Sequence, residues 1–173
     1  MTETSIRLTH ERLLALLHYD PETGVWRWRI TLGSHGHAGS EAGYIKRGSH
    51  GPHYRYIGVN GESYLAHRLA WLYMTGSWPI GHIDHRDCDG LNNRWANLRE
   101  ATHSQNAGNK ARFKNNTSGF KGVTFNKGCQ KFQAQIHFNR KLIYLGLYDT
   151  PEAAAAAYAA AAKQQFGEFA RVK

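Results

Sequence analysis

Between His82 and Asn109 the chain gathers Asp84-His85, Asn97, His103, Asn106 and Asn109 into fewer than thirty residues. These residue types converge on one chemistry. A neutral imidazole, with an ordinary pKa of about 6.5, can take a proton from water near neutral pH. One carboxylate and one amide oxygen make a sparse oxygen site suited to magnesium or manganese, whose remaining positions go to water and phosphate oxygens. An activated water and charge stabilisation at phosphorus are what phosphodiester hydrolysis requires. Two other interpretations fit less well. Asp87-x-Asp89-Gly90 matches the middle of a calcium loop, but placing Gly90 sixth puts His85 first and Ala96 twelfth, where Asp and Glu are required. A zinc site from His82, Asp84, His85 and His103 would lack cysteine and have irregular histidine spacing.

The surrounding elements must hold this stretch in place. Thr9 can cap a short helix with Leu13, Leu14 and Leu17 on one face, and residues 20 to 24 (Asp-Pro-Glu-Thr-Gly) force a turn. Trp26, Trp28 and Ile30 then alternate with Val25, Arg27 and Arg29, the period of a strand with aromatics on one face. Residues 33 to 51 are rich in glycine and histidine and read as a long loop or irregular hairpin. Residues 54–59 and 62–66 read as two strands joined by Asn60-Gly61, which tolerates the positive φ of a two-residue turn. A helix over 67–74 should end at Gly76 and Pro79. Residues 111 to 118 are polar and basic without apolar periodicity and read as a linker. Beyond them, 122–125, 131–138 and 141–146 read as strands, and 151–166 as a helix with Thr150 as N-cap, Pro151 in its first turn and Gly167 after its end. Ala153, Ala154, Ala157, Tyr158 and Ala161 form that helix's packing stripe.

Composition limits the partners. A hydrophobic content of 41% with 12% aromatics argues for a folded chain, and 22 Lys and Arg against 13 Asp and Glu argue for a polyanion as partner. Cys88 and Cys129 form no Cys-x-x-Cys pair, so a zinc ribbon or a disulfide framework is unsupported. Glu3, Arg7, Glu11 and Arg12 interrupt the N-terminal apolar residues, unlike a signal peptide, and no apolar run reaches the roughly 18 residues of a membrane span. The expectation is a cytoplasmic protein with no membrane partner.

Asp84-His85, Asn97-Leu98-Arg99 and Ser104-Gln105-Asn106, preceded by His67-Arg68-Leu69-Ala70-Trp71, resemble the HNH signature of phage-type and homing nucleases. The resemblance covers about residues 8 to 110. It implies a ββα-metal hairpin and helix, with Asp84 as metal ligand, His85 as general base, Asn97 bracing the loop that carries the histidine, and Asn106 as second ligand. Asn106 stands where many members have histidine. Arg86, Arg94, Arg99 and Arg112 surround the motif as candidates for phosphate contact, whereas His82, His103 and Asn109 receive no role.

Residues 118 to 173 resemble the Apetala-type DNA-binding domain of plant ethylene-response factors, through Ser118-Gly119-Phe120-Lys121-Gly122-Val123, Phe132-x-Ala134-x-Ile136, residues 144–148 (Tyr-Leu-Gly-Leu-Tyr) and the Ala-rich helix. That family lays a three-stranded antiparallel sheet in the major groove and backs it with one helix. Alternation puts Phe132, Ala134, Ile136 and Phe138 towards the helix and Lys131, Gln133, Gln135 and His137 on the other face. The resemblance implies DNA contacts at Lys121, Thr124, Asn126, Lys131, Gln133 and Gln135, although Thr124 and Asn126 replace arginines of the plant proteins. Residues 114 to 173 hold nine Lys or Arg against three acids, which favours phosphate attraction.

The expected fold is α+β: an N-terminal strand-rich region (1–66), an HNH ββα-metal unit (67–112), a linker (113–117) and a three-stranded antiparallel sheet packed on one helix (118–173). The expected function is a metal-dependent endonuclease acting on double-stranded DNA, with magnesium or manganese as cofactor, in a phage or mobile-element context within a bacterial host. The alternative is a non-catalytic DNA-binding regulator with a vestigial HNH unit. Intact Asp84, His85 and Asn106 favour the enzyme.

Overall fold

Thr9 accepts a hydrogen bond from the Arg12 backbone N–H and so starts helix α1 (His10–Leu16). The computed structural model describes residues 7–33, 36–47, 53–112 and 115–172, and the chain divides into two compact units at Glu100 and Ala101. Helix α1 buries Leu13 and Leu16, while Leu14 is half-buried. Leu17, expected on the same helical face, instead opens strand β1 (Leu17–Tyr19) with no residue between the two elements. Strand β1 pairs antiparallel with β2 (Trp26–Trp28), placing Leu17 opposite Trp28 and Tyr19 opposite Trp26. Trp26 and Trp28 are buried and Arg27 is exposed, as the alternation requires. Ile30 lies past the strand and is 41% exposed, so the apolar face ends at Trp28.

Strands β3 (Tyr44–Lys46), β4 (Tyr54–Val59) and β5 (Glu62–Leu65) form an antiparallel sheet in that order. Positive φ at Asn60 and Gly61, 52° and 79°, turns the chain between β4 and β5 as the Asn-Gly pair implies. The glycine-rich stretch expected as a long loop or irregular hairpin supplies β3; its residues 34, 35 and 48–51 lie outside the described residues. Helix α2 (Ala66–Thr75) buries Ala66, His67, Leu69, Ala70 and Leu72, and stops where Gly76 takes a φ of 75° that disfavours any side chain with a Cβ. These elements enclose one apolar core, in which Trp26 meets Tyr73 edge-on at 5.6 Å between ring centroids. Strands β6 (His82–His85) and β7 (Leu98–Ala101) pair as a two-stranded sheet whose long connection carries Arg86, Asp87, Asp89, Arg94 and Asn97.

The second unit opens with helix α3 (His103–Asn109). Its start is a capping box in which Thr102 accepts from the Gln105 N–H and the Gln105 side chain accepts from the Thr102 N–H. The chain order strand, strand, helix that the HNH resemblance implies is therefore present in β6, β7 and α3. Strands β8 (Val123–Asn126), β9 (Lys131–Phe138) and β10 (Lys141–Tyr148) form an antiparallel sheet with β9 in the centre. Helix α4 (Pro151–Phe166) begins at the Thr150 cap and ends at Gly167, with the expected bounds. Its buried stripe is Ala154, Tyr158, Ala162 and Phe166. The expected stripe is rotated slightly, because Ala153 is exposed and Ala157 and Ala161 are half-buried. At Gly122 and Gly108 a Cβ would collide with the rings of Tyr158 and Phe166, so both glycines let an aromatic of α4 lie against backbone.

Compactness breaks the chain at Glu100 and Ala101, whereas composition placed a linker at 113–117, two residues of which, 113 and 114, lie outside the described residues. The physical reason is that α3 belongs with α4: Ala101 shares a core with Tyr158, Ala162, Phe166 and Phe169, and Gly108 abuts Phe166. The mixture of helices and small antiparallel sheets makes the chain α+β. Among the described residues no helix is long and apolar enough to cross a membrane.

Candidate active site

Strand β6 presents Ile83, Asp84 and His85 as three consecutive buried residues. Asp84 is only 4% exposed, and its Oδ2 accepts from Nε of Arg99 on β7 at 2.9 Å. Arg99 is itself 8% exposed, so this is a buried ion pair across the β6–β7 sheet. The sequence marked Arg99 as a phosphate contact; burial assigns the guanidinium to Asp84 instead.

His85 is held on three sides. Its Nε2 lies 3.2 Å from Oδ1 of Asn93, a buried residue of the β6–β7 connection. The Asn93 amide also donates to the Leu91 carbonyl, so its Oδ1 serves as acceptor and the His85 proton sits on Nε2. The neutral ring then carries its basic lone pair on Nδ1. His67 from α2 meets the His85 ring edge-on at 4.9 Å, and Tyr54 from β4 lies 5.3 Å from His67 and 6.1 Å from His85. Burial lowers the His85 pKa below its ordinary value, opposed by the Asn93 hydrogen bond and by Asp87, Asp84 and Asp89. His67 is lowered to about 3 by burial first, and then by His85 and Arg68. Its Nδ1 has no hydrogen-bond partner among the described residues. Both rings are consequently neutral near pH 7.

The connection itself is braced from two directions. Asn97 accepts from the Asp87 N–H at 3.1 Å, and its amide donates to Asp87 Oδ1 at 2.9 Å and to the Asn92 carbonyl at 2.8 Å. One side chain thus ties the beginning of the connection to its end. From the other direction, Tyr19 donates to the Asn93 carbonyl, and the Trp95 N–H donates to the Pro21 carbonyl at 2.9 Å. Gly24, with a φ of 75°, lets the turn after β1 approach the Asn93 and Arg94 backbone where a Cβ would collide. Gly90 likewise leaves room for the Tyr54 ring.

Asn93, Tyr54 and the pairing of Arg99 with Asp84 carry no mark in the sequence, and His67 stands out there only as part of a motif. Asn93 follows Asn92 in a polar stretch with nothing to single it out. Strict alternation along β6 would bury Ile83 and expose Asp84, whereas Ile83, Asp84 and His85 are all buried. His82 is exposed, and Asn106 lies half-buried on α3 of the second unit. Among the described residues no three His, Cys, Asp or Glu side chains come together as a metal cage. Of the two oxygen ligands expected from the sequence, Asp84 lies in the first unit and Asn106 in the second.

Of the six candidate DNA contacts, five lie on the sheet. Thr124 and Asn126 on β8 stand opposite Gln133 and Lys131 on β9. Gln133 donates to Gln135 along β9 at 3.0 Å, and Asn126 accepts from the Gly128 N–H in the β8–β9 turn. Lys131 pairs with Asp149 at 2.9 Å, which raises the lysine pKa through that hydrogen bond and charge. Lys121 precedes the sheet. Its ammonium donates to the carbonyls of Gly108 at 2.7 Å and Arg171 at 3.2 Å, tying α3 to the C-terminal segment.

Residues 64–108 match the family model described as HNH endonuclease, a span containing Asp84, His85, Asn97 and Asn106. Protein 3.8 of Escherichia phage T7 is 32% identical over 108 residues, which cover 62% of this chain and 88% of that protein. The chain belongs to the family of Protein 3.8. It carries an HNH endonuclease domain, and the β6–β7 pair with its buried Asp84-His85 lies inside the matched span. No solved structure gives a significant match. In this HNH domain, the histidine of the Asp-His pair is the one held by His67, Tyr54 and Asn93.

Proposed function

We propose that the protein is a metal-dependent endonuclease that hydrolyses phosphodiester bonds of double-stranded DNA, with the second unit as its DNA-binding module. The observation that carries this is the setting of His85. Its Nε2 proton is directed at Asn93, and burial keeps the ring neutral, which is the state a general base must have before it acts. In the reaction a water oxygen forms the new bond to phosphorus as its proton passes to Nδ1 of His85. The bond from phosphorus to the leaving sugar oxygen breaks, and solvent protonates that oxygen. Asp84 and Asn106 are the proposed ligands of a magnesium or manganese ion, which when bound supplies charge stabilisation at the phosphate. The Arg99 guanidinium holds the Asp84 carboxylate in one orientation.

The second unit supplies attraction and reading. It carries eleven Lys and Arg against three Asp and Glu, and charge of that sign draws a phosphate backbone without regard to sequence. On its sheet, Thr124, Gln133 and Gln135 are the proposed base-reading groups, since a glutamine amide pairs bidentately with adenine. The non-catalytic alternative is decided by incubating supercoiled plasmid with and without magnesium or manganese. Nicked or linear product that depends on the ion and on His85 is the expected result; intact plasmid under every condition would reject an endonuclease.

A further inference from the structure

Lys121 and Lys131 are the two cations among the candidate DNA contacts, and both are engaged within the protein, one by backbone carbonyls and the other by Asp149. Other cations of this strongly basic unit are therefore candidates for the electrostatic hold on DNA as well. A cavity of about 450 Å³ opens where the start of α3 faces the β9–β10 turn, lined among others by His103, Ser104, His137, Asn139 and Arg140. None of its lining residues is acidic. Its donors come from three places in the sequence: His103 on α3, His137 near the end of β9, and Arg140 in the turn.

The turn is fixed in position. Asn139 and Arg140 both take positive φ, 48° and 63°, the geometry of a tight two-residue hairpin turn. The Asn139 N–H donates to Ser104 Oγ at 3.2 Å, which ties the turn to α3. Arg140 is exposed and presents a fork of N–H donors that matches phosphate oxygens, and a neutral imidazole carries one N–H donor.

We propose that this cavity binds a backbone phosphate of the DNA duplex, through Arg140, His103 and His137. The proposal rests on the second unit being a DNA-binding module and names where that module grips the backbone. Its placement fits the reading face: His137 shares the outward face of β9 with Gln133 and Gln135. At about 3.3 Å per residue, His137 stands roughly 7 Å from Gln135 and roughly 13 Å from Gln133. Those spans are comparable with the major groove's width of about 12 Å, so amides reading base edges leave the groove's phosphate wall at the cavity.

The test uses the full chain and a fluorescein-labelled duplex, with affinity measured across a series of salt concentrations. Arg140→Gln, and separately the double change His103→Gln with His137→Gln, should weaken binding to every duplex sequence alike. For every phosphate that is no longer neutralised, the slope of log affinity against log salt should fall by about 0.9. Lys163→Gln removes one charge from the exposed side of α4 and should change the slope far less. Arg140→Lys keeps the charge at the turn and should retain most of the slope, and melting curves confirm that each variant is folded. If the wild type binds duplex DNA while Arg140→Gln matches it in affinity and slope, or weakens it no more than Lys163→Gln does, the cavity is not the phosphate site and the DNA-binding role stands. A wild type that binds no duplex defeats both. A second arm follows the ring C–H proton resonances of the two histidines: perturbation by inorganic phosphate but not by duplex would make the cavity a free-anion site and overturn the proposal.

Discussion

The first hundred residues carry eleven Lys and Arg against ten Asp and Glu, whereas the seventy-three that follow carry eleven against three. The first unit is nearly neutral, and its polar groups turn inward: Asp84 on Arg99, His85 on Asn93, and Asn97 on Asp87. The second holds most of the chain's net charge and leaves much of it exposed, with Lys110, Arg112, Lys127, Arg140 and Lys141 all at the surface. A site that must hold a base neutral and oriented requires desolvation and fixed partners, whereas attraction to a polyanion requires charge in water. Under the proposed function the two units separate those requirements, and the contrast can be broken or sharpened by changing one unit at a time.

The largest expected effect is at His85. Changing His85→Ala should lower cleavage of supercoiled plasmid by about 10²- to 10⁴-fold while duplex affinity changes little, because the imidazole acts in the transition state. Cleavage at the wild-type rate would remove the first unit's claim to the chemistry. Next comes Asp84. Because its carboxylate partners a buried guanidinium, Asp84→Ala should cost about 3–5 kcal/mol of stability by urea unfolding, beyond any loss of activity. Asn106→Ala should impair metal-dependent cleavage, with partial rescue at high metal concentration, and without that stability loss, since Asn106 is half-buried on α3. Equal stability losses for the two would place Asn106 in a structural role like that of Asp84.

A smaller effect separates the units themselves. A chain ending at Arg112 keeps α3 but loses α4, which covers Gly108 and Ala101. It also loses the Lys121 ammonium that binds the Gly108 carbonyl. Duplex affinity should fall with a shallower salt dependence, and the α3 amides should exchange hydrogen as rapidly as unstructured backbone while those of α2 stay protected. Protected α3 amides in the shortened chain would return the unit boundary to the linker that composition implied.

What the sequence revealed divides along local and distant interactions. The β4–β5 turn announced itself through Asn60-Gly61, and α4 through Thr150, Pro151 and Gly167, because each depends on the backbone preferences of adjacent residues. The Asp84-His85 pair was visible as a motif, but its surroundings were not. Arg99 is fifteen residues from Asp84, His67 eighteen from His85, and Tyr19 seventy-four from Asn93. Arginine, histidine and lysine read as solvated by default, so Arg99 looked like a phosphate contact until packing removed it from water. The start of β1 was hidden for a related reason: Leu16 and Leu17 are both buried, and no breaker marks the change from helix to strand.

The smallest expected effect concerns His67, and it tests whether the first unit's interior excludes charge. The ring is buried, its Nδ1 has no partner among the described residues, and its pKa lies at about 3 rather than 6.5. Burial is the first cause, with His85 on its edge and the neighbouring Arg68 adding to it. The unfolded chain takes up a proton at this residue as pH falls through about 6.5, while the folded protein does not until about 3. Between those values the unfolded state binds more protons, so stability is full above 6.5 and declines as pH falls, by up to about 1.4 kcal/mol per unit. His67→Phe keeps an aromatic ring of similar size between Tyr54 and His85 and removes the titrating group. Urea unfolding at pH 6.5 and 5.5 should therefore show a smaller drop for the variant than for the wild type, by roughly 1 kcal/mol. Identical drops would mean that water or a rearranged partner reaches the His67 ring, and the neutral interior assigned to this unit would then not extend to α2.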